Sequence, residues 1–171
     1  FYHGKNLDGN SKHIQAVYYD TQEQVTKIYL VLDELCEYHI SYHLDELRLS
    51  LTPVHEMYDK VMVVDAGHGG TSTGSVSYGI SEKDVALGVV DKLKRMLDQT
   101  DIKVYYTRIG DLDVEEQQRT GIVKEAQADL YLSIHTNADA KSHVTTGIMT
   151  YYDHMNADNG LTGEILAECL Q

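Results

Sequence analysis

The chain has 171 residues, a formal charge of −13 and a pI near 4.9. Such a charge argues against a phosphate-backbone binder, which needs a basic face, and is explained by a solvated acidic surface. There is no run of about 18 apolar residues, so no helix of membrane-spanning character is expected, and two cysteines, Cys36 and Cys169, are too few for a disulfide framework.

Residues 1–52 read as β structure. Val25 to Asp33 alternates, with Ile28, Leu30 and Leu32 on one face, and Tyr38, Ile40, Tyr42 and Leu44 repeat the pattern. Leu47, Leu49 and Leu51 follow, with Asp45-Glu46 as the expected turn between the two runs. This predicts a small β meander. Thirteen tyrosines against one Phe and no Trp suit strands that are half exposed, where a ring packs and its hydroxyl stays wet. The only proline, Pro53, lies in a mixed polar stretch, so residues 53–60 are read as a linker.

From residue 61 the pattern changes. Val61-Met62-Val63-Val64 is an apolar β-branched run, predicting a buried strand over 61–66 that feeds the loop Gly67-His68-Gly69-Gly70. Ser81 then precedes Glu82 and Asp84 as a helix start, and apolar residues from Val85 to Leu97 recur at helical spacing. A strand is predicted over 103–107, a helix from Asp113 and Glu116 to about Ala128, and strands over 130–135 and 147–152. A last helix is expected from near Gly160. The alternation predicts an α/β fold: a mixed, largely parallel sheet covered by helices on both faces, preceded by the small β meander. The start at Phe1 rather than Met, and the end at Gln171 inside a helical pattern, lead us to expect a fragment at both ends.

Ligands of open α/β sheets sit beyond the carboxyl ends of the strands. His68 follows one such end, His135 closes another, and Glu82 opens the helix after the His68 loop. Two imidazoles and a carboxylate are the donor set of a catalytic zinc site. On spacing alone two readings stand side by side: a metal triad, or a loop histidine, a helix-dipole carboxylate and a strand-end histidine. Cys36, His39 and His43 also have suggestive spacing. On a strand, however, His39 and His43 stand about 13 Å apart and cannot share an ion.

The order of the segments carries more than their spacing. Val64-Asp65-Ala66-Gly67-His68-Gly69-Gly70, Glu82-Lys83-Asp84, Tyr106-Thr107-Arg108, Ala128 to Ala138 with Ser133-Ile134-His135-Thr136-Asn137, and Gly147 to Tyr152 occur in succession. Over residues 61–171 this resembles the zinc-dependent N-acetylmuramoyl-L-alanine amidases of the amidase 3 type. The resemblance implies Zn2+ held by His68, Glu82 and His135. It implies a peptidoglycan substrate cut between muramic acid and L-alanine, and a place in the cell envelope or outside the cell. Asn137 becomes a candidate substrate-binding residue, with a loop cap as the local alternative. Arg108 is read as an ion-pair partner of Asp111 or Asp113 rather than a catalytic group.

Two departures from the family pattern stand out. Val123-Lys124 replaces a frequent Ala-Asn, and the family's glutamate motif, Leu-Val-Glu-x-Gly-Phe, does not occur in residues 1–171, so no catalytic base is assigned. Residues 1–52 resemble more loosely, in pattern and position, the AMIN domains that precede such amidases. Competing functions are a non-catalytic peptidoglycan-binding module and a zinc peptidase.

Overall fold

A computed structural model describes residues 12–139, 145–153 and 162–171. The N-terminal part forms two antiparallel hairpins rather than one continuous meander: β1 (Ile14–Gln22) with β2 (Val25–Leu32), and β3 (Cys36–His43) with β4 (Glu46–Pro53). In the second hairpin His43 pairs with Glu46, so the turn is Leu44-Asp45, one residue earlier than the sequence suggests. Leu44 takes a left-handed conformation there, with φ 52°. The strand β1 was not singled out in the sequence, because its polar and apolar residues do not alternate cleanly. The tyrosines of these strands are largely exposed, as at Tyr38 and Tyr42.

The stretch expected as a linker carries a short helix, α1 (Val54–Met57). Val54 is buried with Val61, Val63 and Ala126, and Leu35 packs against the same cluster. His55 Nε2 lies 3.2 Å from the carbonyl of Ala126 and 3.1 Å from that of Gln127. The hairpin unit is thereby seated against the α/β part.

That part is a three-stranded parallel sheet in the order β8 (Lys103–Tyr106), β5 (Val61–Ala66), β9 (Leu130–Ile134). Every residue of the central strand β5 is buried, which is why all but Asp65 of its residues are apolar. Side chains alternate across it. Met62, Val64 and Ala66 pack with Val90 under α2 (Glu82–Leu97), while Val61 and Val63 pack with Ala126 and Ile122 beside α3 (Glu116–Glu125). The connections from β5 to β8 and from β8 to β9 run in opposite directions across the sheet. A single crossover hand then places α2 and α3 on opposite faces. A two-residue hairpin, β6 (Val76–Ser77) with β7 (Ile80–Ser81), lies between β5 and α2.

Two expectations are corrected. The helix after β8 is capped by Glu115, in a capping box with Gln118, rather than by Asp113. Residues 147–152 form no strand: Ile148, Met149 and Tyr151 are exposed, Gly147 has φ +126°, and no ladder partner lies beside them among the described residues. Their β-prone composition describes a fit to a half-buried pleated surface, and no strand among the described residues offers them one. The final helix, α4 (Gly163–Leu170), starts from Thr162, whose hydroxyl accepts from the Ile165 amide; the expected start near Gly160 lies outside the described residues.

Candidate metal centre

The two strand ends and one helix start converge. The nitrogen and oxygen atoms that His68, Glu82 and His135 can offer all lie within 4.8 Å of one another. His68 Nε2 is 3.4 Å and His135 Nδ1 is 3.0 Å from Glu82 Oε1, and the two imidazoles meet edge to face with centroids 4.9 Å apart. The sequence set is therefore brought together as a unit.

Each member is placed by its local chain. His68 follows β5 in a left-handed backbone conformation, φ 59°, that an L residue seldom adopts. Its ring is steadied by Ser72 Oγ, 3.1 Å from Nδ1. Glu82 is the first residue of α2 and its side chain is 4% exposed. Its Oε2 accepts from the Ser75 amide and hydroxyl at 3.0 and 2.9 Å, and its Oε1 accepts from the amides of Thr136 and Asn137 at 3.0 and 3.2 Å. Glu82 thus ties the loop before α2 to the loop after β9. His135 follows directly on the last residue of β9, and its ring lies against Gly67.

Burial alone would raise the Glu82 carboxyl, but the hydrogen bonds from Ser75, Thr136 and His135 outweigh it and bring the group from 4.5 down to about 2. A carboxyl held below its unfolded value stabilises the fold at higher pH, and that contribution disappears as the pH falls through the folded value. The metal-free chain is therefore expected to lose on the order of 3 kcal/mol between about pH 5 and pH 2 through Glu82. Urea unfolding across that range, with Glu82→Gln beside the parent, checks this. Equal acid slopes in the two would refute it.

Asn137 lies in the site but enters it through its backbone. Its amide bonds Glu82, its φ is 49°, and the residue lines a groove of about 700 Å³ with His135, Tyr151 and Leu166. A second cleft of about 450 Å³ is lined by His68, Ser72, Asp113, Glu116 and Arg119, and Tyr131, Ser133 and His135 border both. Arg108 is 2% exposed, and its donors go to the carbonyls of Ala66, Gly67, Lys83 and Gly110 rather than to an aspartate. Asp111 pairs instead with Lys83, and Asp113 accepts from Thr71.

The sequence reading passed over Asp65 and Arg119. Asp65 is a buried carboxylate on the otherwise apolar β5, held by Thr107, Ser133 and Arg119. A lone acid inside an apolar strand was the signal available. It also passed over His13, whose Nδ1 lies 2.9 Å from Glu34 and 3.4 Å from Asp33 at the open end of the first hairpin. Cys36, His39 and His43 lie along β3, as the strand reading requires.

The profile of the Amidase_3 family, described as N-acetylmuramoyl-L-alanine amidase, matches residues 62–171, which is most of the chain. The chain belongs to this family. Among its relatives, the endolysin of Bacillus phage SPP1 is 40% identical over 80 residues, covering 46% of this chain and 30% of that protein. The N-acetylmuramoyl-L-alanine amidase LytC of Bacillus subtilis (strain 168) is 34% identical over 94 residues, covering 55% and 19%. The crystal structure of the N-acetylmuramoyl-L-alanine amidase from Clostridium difficile 630 aligns with a TM-score of 0.55 at 33% identity, covering 58% of this chain and 55% of that one. This family member thus spans less than a third of the length of the curated relatives named here. All three members of the metal cluster and Asn137 fall inside the family match.

Proposed function

We propose that residues 61–171 are the metal-bearing part of a zinc-dependent N-acetylmuramoyl-L-alanine amidase. Its substrate is peptidoglycan, cut at the amide between N-acetylmuramic acid and L-alanine, in the cell envelope or outside the cell. The observation that carries this reading is the meeting of His68, Glu82 and His135 at the carboxyl edge of the sheet, inside the family match. The donors fit the ion. Zinc bonds of about 2.0–2.2 Å in a tetrahedron set neighbouring ligands about 3.3–3.6 Å apart. Of the two separations from Glu82 Oε1, the 3.4 Å to His68 falls in that range and the 3.0 Å to His135 lies just below it, as for a ligand pair drawn together by its own hydrogen bond.

Zinc in a site of two histidines and one carboxylate supplies a water of lowered pKa and a Lewis acid for the scissile carbonyl. The chain's own residues hold and orient. Glu82 stays ionised at neutral pH because its hydrogen bonds favour the charged form, so it presents a carboxylate without titrating. His135 borders two adjoining clefts, a placement suited to a polymer substrate longer than the bond that is cut. Asn137, on the wall of the larger groove, is the proposed substrate contact. Residues 1–52 are proposed as a separate β unit, AMIN-like and concerned with placement at the envelope, joined through residues 53–60.

Incubation of the zinc-loaded chain with purified peptidoglycan is expected to release new N-terminal L-alanine without new reducing sugar ends. New termini at other peptide bonds would replace the amidase with a zinc peptidase. Co-sedimentation with peptidoglycan and no cleavage would replace it with a binding module.

A further inference from the structure

One guanidinium joins the sheet to the metal loop. Arg119, on the second turn of α3, directs Nη1 to the buried Asp65 carboxylate and to the carbonyl of Ala66 at 2.9 Å. Its Nη2 reaches the carbonyl of His68 at 2.7 Å, and its Nε reaches that of Val114 at 3.1 Å. Asp65 is fixed independently by the hydroxyls of Thr107 and Ser133 at 2.5 and 2.6 Å. A rigid anchor on the central strand therefore sets the plane of the guanidinium, and the guanidinium sets where the His68 carbonyl points.

That carbonyl belongs to a residue with an unfavourable backbone. A left-handed conformation at a residue other than glycine costs about 1–3 kcal/mol and persists only where its surroundings over-determine it. Here they do. Arg119 holds the carbonyl of His68, Arg108 holds those of Ala66 and Gly67, and Asp111 and Lys83 hold the amide and carbonyl of Gly70. Among these bonds, the one from Arg119 acts on His68 itself.

We propose that Arg119, anchored by Asp65, is a positioning residue that keeps His68 in its left-handed conformation and so sets the metal affinity of the site. The proposal rests on the metal reading of His68, Glu82 and His135. Arginine is needed because its planar fork serves four acceptors in fixed directions. A lysine ammonium is a point donor and cannot span them. Arg119 borders the smaller cleft, so shortening it lets water enter rather than leaving a dry hole in the core.

The test uses Co2+ as the probe, with affinity from chelator competition and geometry from the visible absorption band. Arg119→Gln is expected to weaken Co2+ binding by about 10–100-fold, as loss of a group behind a ligand typically does, and to change the band of the loaded chain. Arg119→Lys is expected to recover part of the affinity. Val90→Ala, on the opposite face under α2, supplies a comparable loss of stability and is expected to leave affinity and band unchanged. Should Arg119→Gln fail to fold, Asp65→Asn removes the anchoring charge with the shape kept and is expected to weaken binding in the same direction. Parent-like affinity and band in the Arg119 and Asp65 variants would overturn the proposal.

A parent chain that bound no Co2+ would overturn the metal reading instead. Amide exchange in the metal-free chain then decides on Arg119: faster exchange at Gly67, Gly69 and Gly70 in Arg119→Gln supports the positioning role, and unchanged exchange refutes it.

Discussion

His135→Ala is expected to weaken zinc binding sharply while the chain stays folded. The imidazole is 40% exposed and stands at the rim, so its removal leaves no cavity in either core cluster. Its neighbour Glu82 keeps the Ser75, Thr136 and Asn137 donors and remains satisfied without it. The loss falls on the ion. Zinc held by a full set of protein ligands binds with about 10–16 kcal/mol at neutral pH, so one ligand of the set carries about 3 kcal/mol or more. That corresponds to about a hundredfold or greater fall in affinity. Glu82→Gln makes the contrast. It also removes a ligand, but strips a buried carboxylate of charge-assisted bonds to two loops, so it is expected to lower the unfolding midpoint as well. Elemental analysis of folded His135→Ala and parent after equilibration with zinc decides the matter. Equal zinc contents would mean that His135 is no ligand.

The parts of this molecule that sequence reveals are those set by local periodicity. The strand β5 has the stated bounds because its residues are buried on both faces and so read as an apolar run broken only at Asp65. The helix α2 is visible from its apolar spacing and acidic first turn, and the meeting of His68, Glu82 and His135 from two strand ends and a helix start. What stayed hidden depends on distant partners. Arg119 and Asp65 are 54 residues apart, and no period in the sequence links them. Asp113 resembles a helix cap in sequence, yet it bonds Thr71 across 42 residues, and Glu115 takes the cap. Residues 147–152 have strand composition, but pairing is a property of a neighbour, and local preference cannot supply one. Arg108 was expected to meet an aspartate because opposite charges nearby in sequence suggest a pair. The turn after β8 aims it at four carbonyls instead.

Gly67→Ala is expected to damage the site about as much as deleting His135, though it removes no ligand. A Cβ at residue 67 would lie 2.4 Å from Cε1, 2.5 Å from Nε2 and 2.7 Å from Nδ1 of the His135 ring. All three are inside contact distance, so the ring must turn away or the loop must retreat from β9. The loop has little room to do so. The Gly67 amide bonds the carbonyl of Ile134 at 3.0 Å and its carbonyl is held by Arg108 at 2.8 Å. The imidazole is the freer partner, being partly exposed, and is expected to swing out of the cluster. Metal bonds tolerate displacements of only about 0.2 Å, so even a partial swing takes its nitrogen out of range. Zinc affinity should therefore fall about a hundredfold, as for a missing ligand, with a smaller change in thermal midpoint. Gly121→Ala is the control: it sits within α3 with nothing near its would-be Cβ, and should stabilise the helix by about 0.5–1 kcal/mol with zinc binding unchanged. Chelator competition and thermal unfolding on both variants provide the check. Parent-like affinity in Gly67→Ala would show that the ring can find the ion from more than one seat, and that the bare glycine surface does not place it.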